Sequence, residues 1–207
     1  MRLVLSVAAL LLVSCGPQDK GAAAFHLYAV ARDGKWGYID STGKVAVDLQ
    51  FDRIMSLEWN EGLAPVRRGD SWGFVDRSGK VIVQPRYEAV LPFSEGLAAV
   101  RSGMKWGFID ESGALVIEPT FETVLNFSEG LAVASLEGKM GFIDRSGRFV
   151  IQPQYDQVRP FAGGIAAVRI GINSGYVDHA GRYVWELTPM QVPRPTVPPP
   201  GQTQTRP

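Results

Sequence analysis

The sequence predicts an all-β fold, built as a tandem array of small antiparallel β-meanders of about 34 residues each. A short motif recurring along the chain is the first observation behind this. Trp36-Gly37, Trp72-Gly73, Trp106-Gly107, Met140-Gly141 and Ser174-Gly175 hold its opening pair, at steps of 36, 34, 34 and 34 residues. Asp40, Asp76, Asp110, Asp144 and Asp178 follow three positions after each glycine, and Gly43, Gly79, Gly113, Gly147 and Gly181 close the unit. The second observation is strand-period alternation between these turns. The third is the lack of any convincing helical pattern after the first apolar run.

One repeat justifies each element in turn. Leu97-Ala98-Ala99-Val100-Arg101 is a strand, and Ser102-Gly103-Met104-Lys105 turns the chain. Trp106-Gly107-Phe108-Ile109 returns, with Trp106 and Phe108 on one face because successive side chains alternate. Asp110-Glu111-Ser112-Gly113 fits a type I turn, aspartate first to accept backbone N–H groups and glycine fourth. Leu115-Val116-Ile117 is the third strand, and Glu118-Pro119 is expected to end it, since proline lacks the ladder donor. Phe121-Glu122-Thr123-Val124 is a shorter fourth strand, and Glu129-Gly130 leads into the next repeat.

The same chemistry recurs at each place. Gln84-Pro85 and Gln152-Pro153 match Glu118-Pro119, while Phe51-Asp52, Tyr87-Glu88 and Tyr155-Asp156 match Phe121-Glu122. One such unit cannot bury its apolar face alone, so the repeats stack and fold together. The expected domain spans residues 25–187 and holds five copies, the last without its fourth strand. An open, twisted stack is the first expectation, with a five-bladed β-propeller as the alternative because closure would protect the edges. Trp36, Trp72, Trp106 and Met140 are the expected repeat core, and the Asp and Gly of each Asp-x-x-Gly stretch the structural turns.

The Trp-Gly pairs, the aromatic residue next along, the Asp-x-x-Gly turn and the Glu-Gly pair resemble the WG-repeat family of bacterial β-repeat proteins. The resemblance covers roughly residues 25–187 and implies an architecture, with no common substrate or catalytic set. Met140 and Ser174 depart from the pattern where tryptophan belongs.

The N-terminus carries a second resemblance. Met1-Arg2 is positive, and residues 3–13 form an uncharged, mostly apolar run too short to span a bilayer but suited to a secretion signal. Leu12-Val13-Ser14-Cys15 resembles a bacterial lipobox, which implies a signal peptide over 1–14 and lipid attachment such as palmitate at Cys15. Residues 15–24 then form a short tether. The resemblance implies a lipid-anchored protein of the bacterial cell envelope, in the outer membrane facing the periplasm or surface where the organism has one. At the other end, residues 188–207 form a proline-rich tail with no apolar period, expected to lie outside the domain.

Composition narrows the function classes. Formal net charge is zero with Lys and Arg scattered, which gives no nucleic-acid surface. A single cysteine forms no internal disulfide and no thiolate cluster. The turn aspartates each sit in the same environment, whereas acid–base catalysis needs two groups that converge with separated pKa values. His26 and His179 stand in opposite terminal repeats, so no metal ligand set is expected. No enzyme and no cofactor are expected. The expectation is a non-catalytic, membrane-anchored interaction or scaffold module, with an envelope protein or wall polymer as partner. The alternative is a carbohydrate- or peptide-binding protein with a site near Trp59, which lies in a connector two residues longer than the others.

Overall fold

The computed structural model describes residues 26–55 and 59–189. Residues 1–14, Cys15, the tether at 15–24 and all of the tail beyond Pro189 lie outside the described residues.

Among the described residues, nineteen strands form five separate antiparallel sheets. The first holds β1 (Tyr28–Arg32), β2 (Lys35–Ile39) and β3 (Val45–Phe51). The second holds β4 (Arg53–Ile54), β5 (Leu63–Arg68), β6 (Ser71–Asp76) and β7 (Val81–Tyr87). The third holds β8 (Ala89–Val90), β9 (Leu97–Ser102), β10 (Lys105–Asp110) and β11 (Leu115–Phe121). β12 (Val124–Ser128), β13 (Leu131–Leu136), β14 (Lys139–Ile143) and β15 (Phe149–Tyr155) make the fourth. β16 (Gln157–Val158), β17 (Ile165–Ile170), β18 (Asn173–Asp178) and β19 (Tyr183–Pro189) make the last. The sheets stack in chain order, and each of the four apolar clusters joins two consecutive sheets. The array is an open stack of meanders rather than a closed propeller.

Aromatic pairs weld neighbouring sheets. Tyr38, Phe74, Phe108 and Phe142, each two residues past the first motif position, are fully buried. Each ring meets one from the segment just before the next repeat's first long strand: Trp59, Phe93, Phe127 and Phe161, at centroid distances of 4.7, 4.9, 5.0 and 4.7 Å. The tilted and edge-on geometry suits the ring quadrupoles and adds about 0.5–1.5 kcal/mol per pair beyond area burial.

The structure corrects three details of the sequence reading. The short fourth strand pairs forward, onto the first strand of the next repeat, as in Ala89↔Arg101 and Val124↔Ala134. Sheet and sequence repeat therefore differ in phase by one strand, and among the described residues the three-stranded sheet is the first. Next, the Glu-Pro and Gln-Pro pairs do not end the third strand. Trp106 pairs with Phe121 and Phe108 with Ile117, so Glu118, Pro119 and Thr120 stand together opposite Gly107. This bulge gives proline a place where no ladder donor is needed, and strand pairing resumes beyond it. Last, β19 runs two residues into the expected tail, with Ser174↔Thr188 and Asn173↔Pro189 in register.

The bulge also explains the glycine of the Trp-Gly pair. A Cβ built on Gly107 would lie 2.7 Å from the Pro119 nitrogen and 2.8 Å from the Glu118 carbonyl carbon, with the Ile117 oxygen closer still. Gly37, Gly73 and Gly141 meet the same backbone wall. The tryptophans themselves are only half-buried. Trp72, Trp106 and Met140 pack on the margins of the apolar clusters, at the hairpin end of their sheets where water reaches one side. The Arg101 guanidinium lies over the Trp106 ring, 5.9 Å from its centroid. Trp36 is half-buried as well.

Candidate interaction surfaces

The stack presents two rims of loops and two end faces. Asp-x-x-Gly turns line one rim. Asp110 Oδ1 accepts hydrogen bonds from the Ser112 N–H (2.9 Å), the Ser112 hydroxyl (2.6 Å) and the Ala114 N–H (3.0 Å). Asp40, Asp76 and Asp144 do the same with Thr42, Ser78 and Ser146. Asp178 accepts from the Ala180 and Arg182 N–H groups. The Ser112 hydroxyl, then the Ala114 N–H, hold the Asp110 carboxyl below its ordinary value; Thr42 does so for Asp40, Ser146 for Asp144 and the Arg182 side chain for Asp178. Gly79, Gly113 and Gly147, with φ of +85°, +84° and +82°, set these turns against the preceding sheet, close to Val47, Val83 and Ile117. Gly181 packs on Ile151 in the same way, whereas Gly43 in the first repeat faces open space.

The other carboxylates of this rim clip repeat to repeat. Glu61 accepts from the Gly96 N–H at 2.8 Å, and Glu95 from the Gly130 N–H at 3.0 Å. Glu129 accepts from Gly163 and Gly164 at 2.6 and 2.9 Å. Glu61, Glu95 and Glu129 adopt positive φ near 54°, a conformation costly for a side-chain-bearing residue and held here by the turn and the clip. The ladder stops at Gly163, where no glutamate is present to reach further.

The opposite rim has its own ladder. Asp52 takes the Gly69 N–H of the second sheet at 2.7 Å and the Lys35 ammonium of the first. Asp156 likewise takes the Gly171 N–H at 2.6 Å and Lys139 at 2.6 Å. Glu122 accepts from Gly138 at 3.0 Å, with Lys105 at 3.9 Å. Asp52 is held below its ordinary value first by Lys35, and Asp156 first by the Gly171 N–H. These acids, which a sequence reader would inspect for catalysis, join sheets instead. Among the described residues no group of three or more His, Cys, Asp and Glu could hold a metal ion. His26 is exposed at the first end, and His179 stacks on Phe161 and faces Glu129 at the last.

Trp59 packs on Tyr38 and sits half-buried in the first inter-sheet cluster, the place Phe93 and Phe127 hold further on. Arg77 lies over its ring at 5.8 Å. Burial pushes the Tyr38 hydroxyl up to about 12. Trp59 is thus an element of packing rather than an exposed anchor.

The end faces are different. In the interior, Phe142 pairs with Ile151 on the face turned toward the following sheet, and both are buried. Their register equivalents in the last sheet are Tyr176 and Trp185, and these are 45% and 63% exposed. Sequence patterning gave one signal for this site. The fifth repeat places Trp185 where the others place Val47, Val83, Ile117 and Ile151, an aromatic residue with a polar atom that tolerates a wet face.

A family model described as WG containing repeat matches residues 36–71, 72–106, 106–139 and 140–171, more than half of the chain. The protein belongs to this WG-repeat family. Among curated proteins none matches. In fold the chain is similar to Hsv2p of Kluyveromyces lactis, with TM-score 0.50, 14% identity, and coverage of 75% of this chain and 59% of that one. It is also similar to a eukaryotic initiation factor, with TM-score 0.47 and 12% identity over 73% of this chain and 48% of the other. A HIRA fragment gives TM-score 0.37 and 10% identity over 78% of this chain and 55% of the fragment. This chain thus spans about three-fifths of the length of Hsv2p.

These findings correct the location expected from the N-terminus. The fold is shared with Hsv2p of a eukaryote, and among the described residues no helix is long and apolar enough to cross a membrane. The bacterial envelope and outer-membrane location, and the lipoprotein, signal-peptide, palmitate and membrane-anchor readings built on Cys15, are not retained.

Proposed function

We propose that the protein is a non-catalytic scaffold module that binds a protein partner through the uncovered face of its last sheet. One observation carries the reading: Tyr176 and Trp185 are exposed at positions whose equivalents Phe142 and Ile151 are buried in the repeat before. Exposed aromatic side chains on a flat sheet face are a common nucleus of protein interfaces. The carboxylates support the same conclusion from the other side, since both rims use them to join repeats. Repeat stacks offer broad rigid surfaces of this kind.

A photoreactive side chain placed at position 185 tests this in cells producing the full chain. It is expected to trap a discrete protein adduct, while the same group at Met104, which is 89% exposed on a hairpin of the rim, traps none. Equal trapping at both positions, or none at 185, refutes the reading.

A further inference from the structure

We infer that the partner of the open last sheet is the first sheet of a second molecule, so that the protein associates head to tail. The inference rests on the reading above and names the occupant of that same face.

The argument comes from the internal junctions. Between the fourth and fifth sheets, Leu131, Val133, Phe142 and Ile151 pack against Ala166, Val168 and Val177. Between the first and second, Tyr38, Val47 and Phe51 pack against Ala64, Val66, Val75 and, at the margin, Val81. Every junction thus joins the same forward face to the same backward face, and among the described residues the two outermost sheets each keep one of the pair uncovered. The register identifies them. On the last sheet the forward face is Ile165, Ala167, Tyr176 and Trp185, none of them buried. On the first sheet Tyr28 pairs with Ile39 and Ile39 with Val45, as Ala64 pairs with Val75 and Val75 with Val81 in the second. The backward face of the first sheet is therefore Tyr28, Val30, Ile39 and Val45, of which Tyr28 and Val45 are 42% and 47% exposed.

The turn chemistry agrees. Gly181 packs on Ile151, Gly147 on Ile117 and Gly113 on Val83, each glycine over the third strand of the preceding repeat. Gly43 has nothing within 4 Å, and the third-strand residue in the matching place of the last repeat is Trp185. A second molecule whose Gly43 turn covers Trp185 continues the series. Tryptophan is larger than the isoleucine or valine used inside, so this contact concentrates on one aromatic anchor. The glutamate clip is missing, because Gly163 stands where Glu129 would be, so the junction is weaker than those within the chain. Each molecule then offers two unlike faces. Such a heterologous contact extends into a filament, or closes into a ring if the rotation allows.

Sedimentation velocity of the full chain over a concentration series tests this, with Tyr28→Arg and Trp185→Arg as single variants. Both positions are exposed, so unchanged melting temperatures are expected and are checked first. Wild type is expected to sediment faster as concentration rises, and each variant alone to remain monomeric. An equimolar mixture of the two is expected to give dimers and nothing larger, because one keeps its last sheet and the other its first. Monomeric wild type at every concentration overturns the inference. So does self-association of Tyr28→Arg alone, which indicates contact between two last sheets, or of Trp185→Arg alone, which indicates contact between two first sheets. If position 185 still traps a different protein while wild type stays monomeric, the scaffold reading stands and this one falls.

Discussion

Replacing Gly107 with alanine tests the central packing argument, because the atoms nearest the added carbon all belong to backbone. Its Cβ would stand 2.7 Å from the Pro119 nitrogen and 2.8 Å from the Glu118 carbonyl carbon, inside van der Waals contact. A long side chain could swing away; a strand held by Trp106↔Phe121 on one flank and Phe108↔Ile117 on the other cannot. Overpacking a close-packed interior costs about 1–3 kcal/mol, and the upper end applies where only backbone can yield. We expect a loss of about 3 kcal/mol in urea unfolding of the full chain. Gly103→Ala is the control. Its φ of +62° carries the left-handed penalty of roughly 1–2 kcal/mol, and its surroundings are open. If Gly107→Ala unfolds within about 0.5 kcal/mol of wild type, or costs less than Gly103→Ala, the bulge does not explain the Trp-Gly pair.

Two further predictions concern the core and the acidic turns. Phe108→Ala is expected to cost about 3–5 kcal/mol and Trp106→Ala clearly less, because Phe108 is fully buried and Trp106 half-buried; denaturant melts that reverse the order refute this assignment. Lowered carboxyl pKa values at Asp40, Asp52, Asp110, Asp144, Asp156 and Asp178 mean that the folded state favours the ionised forms. Their contribution is present above the ordinary carboxylate value of 3.8 and is lost as pH falls through the lower folded values. The melting temperature is therefore expected to drop below about pH 4, and Asp110→Asn to flatten part of that drop while leaving binding at position 185 intact. A melting curve insensitive to acid, or loss of binding in Asp110→Asn, contradicts a structural role for these turns.

The parts of this fold legible in the sequence are those governed by local chemistry. Asp110, Ser112 and Gly113 lie within four residues, and a turn is the local solution for that string. The continuous apolar run Leu97-Ala98-Ala99-Val100, bounded by turn residues, reads in the same way as a strand buried on both faces. What stayed hidden depends on contacts between distant residues. Pro119 reads as a strand end because its tolerance depends on a bulge, and that bulge forms only against Gly107 from another strand. Trp106 reads as the innermost residue because it is the largest, yet its place at the hairpin end leaves one side to water, and Phe108 takes the interior. Trp59 reads as a possible anchor because its connector is longer, while its partner is Tyr38 in the previous sheet. The exposed pair Tyr176 and Trp185 acquires meaning only after the register equates it with Phe142 and Ile151.

The one-strand offset between repeat and sheet gives the array a direction. Each connector leaves one sheet, forms an edge strand of the sheet ahead, and then delivers its aromatic to the cluster between the two. Asp52 and Asp156 make the same crossing in hydrogen bonds, taking a lysine from the sheet behind and an N–H from the sheet ahead. No sheet can therefore loosen without pulling a strand or a clip from its neighbour, which couples the repeats more tightly than face-to-face packing would. The two ends break this rule in opposite ways. At the first end the sheet has no short strand from a preceding repeat among the described residues, and Gly43 covers nothing. At the last end the sheet is complete, but Gly163-Gly164 offers no clip and Tyr176 and Trp185 have no cover. A stack with unlike ends presents one binding face at the last sheet and a different one at the first. This polarity is the physical basis for expecting contacts at the last sheet to be directional.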